Sequence, residues 1–266
     1  MMTGKIGFIG CGNMAKYIIS GMLTSGKFEP DDIVVFDINA IQMKELNVNK
    51  VDKCEDVFSL CEIVILSVKP NYTKKILIDM YDYINESHVI ISIAAGISIL
   101  SLESVSNKST KIIRVMPNSP ASVLLGCSSI TPNKNVSEED LRETLKIFDS
   151  VGITSVFNEE QIHAVTGISG SSPAYVFMFI EALADAGVLG GVPRDIAYKF
   201  AAQSVMGAAK MVLESNIHPA ELKDKVCSPS GTTIEAVRVL EDRKMRSSII
   251  EAVVSCIEKS IILSKN

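Results

Sequence analysis

Lys5-Ile6-Gly7-Phe8-Ile9-Gly10-Cys11-Gly12-Asn13-Met14-Ala15 decides the fold of this 266-residue chain. Lys5 to Ile9 read as a short buried strand. Gly10, Gly12 and Ala15 then fit the G-x-G-x-x-G/A pattern of a dinucleotide-binding turn. The first position permits the tight turn, the second lets backbone approach a pyrophosphate, and the third lets helix and strand pack closely. Alone the pattern is weak, because glycines also end ordinary strands. Its surroundings strengthen it. Met14, Ile18, Met22 and Leu23 recur on one face of a helix that the turn opens. A second apolar strand, Ile33-Val34-Val35-Phe36, ends in Asp37, 22 residues beyond Ala15 and near the spacing of an acid that binds ribose hydroxyls. Gly10, Cys11, Gly12, Asn13, Met14, Ala15 and Asp37 form the candidate cofactor-binding set; capping of the next helix is the competing role for Asp37.

Working outward, residues 1–158 alternate strands and helices. Further strands are expected at Ile63–Val68, His88–Ile93, Lys111–Val115, Ser128–Thr131 and Ile153–Phe157. Helices are expected at Ala40–Leu46, Asn71–Ile84 and Ser137–Asp149, the last with Ser137 and Asp140 as a capping pair. From about Glu159 the strand signal vanishes. Helices are expected at Glu159–Val165, Pro173–Leu189, Arg194–Leu213, His218–Lys225, Thr232–Asp242 and Met245–Leu263. The fold class is α/β: an N-terminal Rossmann-like doubly wound sheet, residues 1–158, followed by an all-α C-terminal domain, residues 159–266. The alternation leaves room for antiparallel pairing of the last one or two strands.

Composition excludes several classes. Apolar residues make up 47% and charged residues 21%, enough for a large core and against disorder. The net charge of −5 and the scattered basic residues give no nucleic-acid footprint. The six cysteines form no C-x-x-C pair, and the three histidines do not join them at zinc spacing, so no metal site is expected. Small buried thiols suit a reducing cytosol, and the start Met1-Met2-Thr3-Gly4-Lys5 carries no signal-peptide pattern; a cytoplasmic location is expected. The longest apolar tract, Pro173 to Val192, holds Glu181 and Asp185 in its middle, which reads as a buried helix or a subunit contact rather than a membrane span.

Two more strand ends face the ligand side of such a sheet: Ser67-Val68-Lys69-Pro70 and Ala94-Ala95-Gly96. Read from the residues alone, they serve equally well as ordinary strand-to-helix turns. Near the far end, Cys227-Ser228-Pro229-Ser230-Gly231-Thr232-Thr233 runs into a helical period at Ile234, Val237 and Leu240. A turn of this kind presents free N–H groups and hydroxyls to a small anion such as a carboxylate.

That block resembles the signature of the Δ1-pyrroline-5-carboxylate reductase family, usually Ser-Pro-Gly-Gly-(Thr/Ala)-Thr-Ile. Only Ser230 departs, at a position where a side chain would strain a backbone of positive φ. Arg114-Val115-Met116-Pro117-Asn118-Ser119-Pro120-Ala121 resembles the family's R-V-M-P-N-T-P-A, with Leu124 and Leu125 in place of a usual Gly-Glu. In Thr166-Gly167-Ile168-Ser169-Gly170-Ser171-Ser172-Pro173, Ser172 stands at a usual Gly. These matches span residues 5 to 241 in the family's order.

The resemblance implies reduction of the cyclic imine 1-pyrroline-5-carboxylate to L-proline with NADH or NADPH. It makes Ser67, Val68, Lys69, Pro70, Ala95, Gly96 and Pro117 cofactor neighbours. It makes Thr166 the hydroxyl that bonds the ring nitrogen and stabilises or replenishes its proton. Ser228, Gly231, Thr232 and Thr233 then hold the carboxylate. It implies a homo-oligomer, at least a dimer, with the site at a domain or subunit boundary. His163, one helical turn from Thr166, is read as packed rather than catalytic. Because Ile38 stands where the family often has Arg, and Asp37 repels a phosphate, NADH is expected to serve at least as well as NADPH.

Two rivals remain in the sequence. A β-hydroxyacid dehydrogenase would need a lysine on the helix beginning at Ser172, which has none in its first turns. A non-catalytic dinucleotide sensor would have no need of Thr166, Ser228 and Thr233.

Overall fold

The computed structural model describes residues 5–264; the leader reading of residues 1–4 lies outside them. Eight strands form one sheet: β1 (Lys5–Ile9), β2 (Ile33–Phe36), β3 (Asn49–Lys50), β4 (Cys61–Leu66), β5 (Val89–Ser92), β6 (Lys111–Met116), β7 (Gly126–Pro132) and β8 (Gly152–Val156), in the order β3-β2-β1-β4-β5-β6-β7-β8. The first six run parallel. β7 is antiparallel to β6, and β8 is parallel to β7, so both of the last strands are reversed. The chain leaves β1 toward one edge and returns through β4 toward the other. That reversal is the topological switch point where doubly wound sheets bind ligands.

The central strands are apolar almost throughout because helices cover both faces. Alternate side chains feed two cores. Ile6, Phe8, Ile33, Val35, Ile65, Ile91 and Ile113 pack with Ile18, Ile19 and Met22 of α1 (Asn13–Thr24). On the opposite face Ile9, Val34, Val64, Leu66, Ile90 and Ile112 pack with Val57 and Phe58 of α2 (Cys54–Leu60), Leu77 of α3 (Pro70–Asp79) and Leu102 of α4 (Ile99–Glu103). In α5 (Glu138–Phe148) the capping pair forms as expected: Asp140 N–H donates to Ser137 Oγ at 3.2 Å and Ser137 N–H to Asp140 Oδ2 at 3.0 Å.

Several elements differ from expectation. The stretch Ala40–Leu46 forms only a 3₁₀ turn, Ala40–Met43, capped by Asn39 Oδ1 accepting from Ile41 N–H. Asn71–Ile84 breaks after α3 and resumes as a 3₁₀ turn, Tyr81–Tyr83. β3, α2 and α4 carry too short a period to be read from sequence.

After β8 the chain is helical: α6 (Ile162–Val165), α7 (Ser172–Leu189), α8 (Arg194–Ser215), α9 (Pro219–Val226), α10 (Thr232–Asp242) and α11 (Met245–Ser264). By compactness the chain divides after Gly170. The segment Ser171–Cys256 is one unit, and the chain from Ile257 belongs with the first. Within the second unit α7 and α8 pack through Ala184, Ala197 and Ala201. Much of its remaining apolar surface is open, including Phe177, Met178, Phe200 and Leu213. The helical run Glu159–Leu189 is long and apolar enough to cross a membrane by length and composition, and little of its most apolar stretch is buried.

Close packing of β1 on α2 depends on Gly7, where an added Cβ would lie 2.3 Å from Val57 Cγ1. Gly7→Ala should destabilise the chain by about 1–3 kcal/mol through overpacking. Combining it with Val57→Ala should recover part of that loss. Denaturant unfolding of both singles and the double checks this: strict additivity would show that the two sites do not share the space.

Candidate active site

At the C-terminal end of β1 the backbone turns at Gly10, φ +93°, where a Cβ would meet Ser67 O at 2.7 Å. Three bonds fix this turn. Gly10 N–H donates to Phe36 O at 2.8 Å, Ser67 N–H to Ile9 O at 2.9 Å, and the Ser67 hydroxyl to the Gly10 carbonyl. A fourth comes from Asp37, whose Oδ2 accepts from Cys11 N–H at 2.7 Å while Oδ1 accepts from Asn39 N–H at 2.8 Å. Asp37 thus clamps the glycine turn to the end of β2, and the cap of the following turn falls to Asn39.

Gly12 opens α1 with free space where a Cβ would stand, and no side chain caps the helix. The N–H groups at the start of a helix have no intrahelical acceptor, so this end is built for an anion. Asn13 is exposed, Met14 half-buried and Ala15 buried against the strand. Ser67, Val68, Lys69 and Pro70 follow β4, with Lys69 exposed at the start of α3. Ala95 is exposed beyond β5, and Gly96 takes φ +78° with nothing within 4 Å of its Cβ position. Pro117 is buried after β6. These segments follow the C-terminal ends of parallel strands β1, β4, β5 and β6, the crevice side of the sheet. An uncapped helix start, a bare Gly12 and open space at Gly96 fit a dinucleotide.

Thr166 stands where α6 gives way to a π-helical turn, Thr166–Gly170. Its hydroxyl donates to Ile162 O at 2.8 Å, and Ser169 Oγ donates to Val165 O at 2.8 Å. Turns of this kind widen a helix and recur at functional sites. His163 bonds Ser260 Oγ at 2.9 Å through Nδ1. Burial and the Arg114 charge hold its pKa below the usual range, against the pull of Glu159. It packs against the C-terminal stretch.

In the second unit, the turn Ser228–Gly231 closes with Gly231 N–H on Ser228 O at 3.0 Å. Ser230 takes φ +55°, so the left-handed conformation persists without glycine. Leu124, likewise at a usual glycine, takes φ +60°. At Gly231 a Cβ would lie 2.3 Å from Ser228 Oγ; glycine here leaves room for that hydroxyl. α10 begins at Thr232 with no side-chain cap, so Ser228, Gly231, Thr232 and Thr233 share one turn that presents hydroxyls and helix N–H groups.

The partners of three residues escaped the sequence reading. Glu159 Oε1 accepts from buried Arg114 Nη1 at 2.8 Å and from Ile99 N–H at 2.7 Å, tying β6 and α4 to the segment leading to Thr166. Asn118 Nδ2 donates to Ser169 O and its Oδ1 accepts from Cys127 N–H, each at 2.8 Å. Lys16 Nζ donates to Gln42 Oε1 at 3.1 Å. A charged residue amid the apolar run of β6 was the only available signal, since buried charges require partners. Burial pushes the Cys11 thiol up to about 12, reinforced by Asp37, so it is no thiolate at neutral pH. Among the described residues no group of three or more His, Cys, Asp or Glu side chains could hold a metal.

A glycine turn at the switch point of a doubly wound sheet, followed by a helical unit, defines an NAD(P)-dependent oxidoreductase of the two-part kind. Residues 5–96 match the family model "NADP oxidoreductase coenzyme F420-dependent", and residues 159–263 match "Pyrroline-5-carboxylate reductase dimerisation". The chain is 50% identical to the pyrroline-5-carboxylate reductase of Escherichia coli (strain K12) over 100% of both chains. It is 39% identical to that of Arabidopsis thaliana over 98% of this chain and 96% of the relative. Among solved structures, the enzyme of Coxiella burnetii superposes with a TM-score of 0.94 at 31% identity, covering 100% of each chain. That of Plasmodium falciparum, with NADP bound, gives 0.88 at 31% identity over 99% of each. The chain belongs to the pyrroline-5-carboxylate reductase family.

The exposed Ser230 bears a backbone conformation that costs an L-residue about 1–2 kcal/mol. Ser230→Gly removes that strain but adds chain entropy to the unfolded state. The net expectation is a gain of about 0.5–1 kcal/mol, read from denaturant midpoints at fixed protein concentration. A loss of stability would mean that the serine hydroxyl makes a compensating bond.

Proposed function

We infer that this chain reduces Δ1-pyrroline-5-carboxylate to L-proline with NADH or NADPH, the last step of proline biosynthesis. The observation that carries the reading is the Ser228–Thr233 turn, with its left-handed Ser230 and uncapped helix start, in a chain of this family. A β-hydroxyacid dehydrogenase finds no lysine in the first turns of α7.

The bound nicotinamide supplies the hydride. Everything else falls to positioning, because a protonated cyclic imine already accepts hydride at carbon. The N–H groups at Gly231–Thr233, with the Ser228, Thr232 and Thr233 hydroxyls, hold the substrate carboxylate. A helix start alone contributes about 0.3–1 kcal/mol to an exposed anion and up to about 2 when partly buried, so several converging bonds are needed. Thr166 faces the ring nitrogen. Its hydroxyl proton already goes to Ile162 O, so it offers lone pairs outward. A lone pair accepts the N–H of an iminium and favours the protonated, reactive form. Gly10–Ala15, with Ser67–Pro70, Ala95, Gly96 and Pro117, holds the cofactor. Asp37 retains acceptor capacity for ribose hydroxyls, which supports NADH serving at least as well as NADPH.

The reading assigns residues 1–158 to the cofactor and 159–266 to substrate binding and dimerisation. The match to a dimerisation model and the exposed Phe177 (65%), Met178 (69%), Phe200 (72%) and Leu213 (72%) support a homo-oligomer, at least a dimer. The same apolar faces account for the Glu159–Leu189 run as subunit contact, given Glu181 and Asp185 within it. The six free thiols and the proposed biosynthetic role support a cytoplasmic location.

A steady-state assay with the cyclic imine and reduced nicotinamide tests the activity. Thr233→Val should lower kcat/KM while cofactor affinity and folding hold. The strongest single-donor losses are about 2.7–4 kcal/mol; less is expected here because neighbouring N–H groups remain. Unchanged kinetics would remove Thr233 from the site.

Light scattering at micromolar concentration should give at least a dimer. A stable, active monomer would refute the assembly.

A further inference from the structure

The end of β2 carries a contradiction for a chain that accepts NADPH. The 2′-phosphate of that cofactor belongs beside the residue that closes the second strand, and here that residue is the anion Asp37. The following positions offer no cation: Ile38 is 97% exposed and Asn39 is spent on capping. Lys44 lies past the 3₁₀ turn, seven residues beyond Asp37.

A cation does reach this place from the other side. Lys16 lies in the first turn of α1, its N–H bonded to Gly12 O at 3.1 Å. Its ammonium crosses to Gln42 Oε1 at 3.1 Å, in the turn that follows β2. Lys16 therefore spans the two segments that flank Asp37. The partner is a neutral amide, and among the described residues the ammonium makes no ion pair, so its charge is not cancelled. The Coulombic influence of both Lys16 and Asp37 on the Cys11 thiol places the two charges around the same turn. Asp37, meanwhile, is held by Cys11 N–H and Asn39 N–H and cannot swing away from an incoming phosphate without releasing the glycine turn.

We propose that Lys16, presented from the first helix and held by Gln42, is the specificity-determining cation that reads the 2′-phosphate and keeps NADPH usable despite Asp37. The assignment rests on the nucleotide reading of the glycine turn. A lysine serves as a point charge here, so the interaction is electrostatic and weakens with salt.

Adenosine 2′,5′-bisphosphate and adenosine 5′-monophosphate differ only in the 2′-phosphate. Calorimetric titration of each into the full-length wild type, Lys16→Met and Lys16→Arg measures the assignment directly. In Lys16→Met the ratio of the two dissociation constants should shift about tenfold against the bisphosphate, the size of one charge-assisted contact. Lys16→Arg should retain most of the wild-type ratio. The bisphosphate advantage should also shrink with added salt in the wild type and not in Lys16→Met. The kcat/KM ratio for NADPH over NADH should follow the ligand ratio. An unchanged ratio in a folded Lys16→Met overturns the proposal, and so does an equal loss for both ligands. If neither ligand binds the wild type, the nucleotide reading itself falls and takes the assignment with it; imine reduction in the steady-state assay is scored separately.

Discussion

The backbone at Gly10 and Cys11 is held from both flanking strands at once. β2 contributes the Phe36 carbonyl and the Asp37 carboxylate, and β4 contributes the Ser67 amide and hydroxyl. This cross-strand clamp fixes where α1 starts and how its free N–H groups point. Because β1 lies between β2 and β4, the clamp also marks the gap at which the sheet changes direction. Pre-organisation of this kind lowers the ordering cost of binding a flexible dinucleotide. The clamp explains why a buried thiol is tolerated at Cys11. The position contributes its N–H, and burial keeps its sulfur protonated.

The chemistry asks for few charged groups, and the candidate residues conform. An iminium needs an acceptor for its N–H and a holder for its carboxylate. Thr166 and the Ser228–Thr233 turn are hydroxyls and amides rather than acids or bases. Hydroxyls whose protons are already committed have a defined polarity, which a freely rotating hydroxyl lacks. The bond from Thr166 to the Ile162 carbonyl, one turn back in α6, commits the proton of that hydroxyl.

How much of this was legible in the sequence follows from the range of each interaction. The glycine turn, the parallel strands, the Ser137–Asp140 cap and the start of α10 at Thr232 are local patterns, and they read correctly. β3 has two residues and α4 five, too few for a period to show. The helix expected from Ala40 was shortened because Asn39 caps a tighter turn of which only Met43 is buried. Glu159 meets Ile99 and Arg114 across 60 and 45 residues, and Asn118 meets Ser169 across 51. Such pairs depend on strand order, which no local window contains. Ser230 is instructive in the opposite sense. A serine argued against positive φ, yet the turn that opens α10 imposed it, so the requirement of the helix start outweighed the preference of one side chain.

The helical unit raises a different balance. Its buried apolar residues, among those described, are Ala184, Ala197 and Ala201, with Ile180 and Val188 partly buried against them, each alanine having little area to remove from water. Burial at about 25 cal/mol per Å² in so small a core offsets little of the ordering of these helices. The larger side chains that would offset more, such as Phe177 and Phe200, face outward on α7 and α8. On the proposed assembly a partner covers those faces, which makes the unit's folding and its association one equilibrium. The turn proposed to receive the substrate carboxylate sits in this unit. On that assembly, loss of the oligomer should cost the proposed substrate site before it costs the cofactor site.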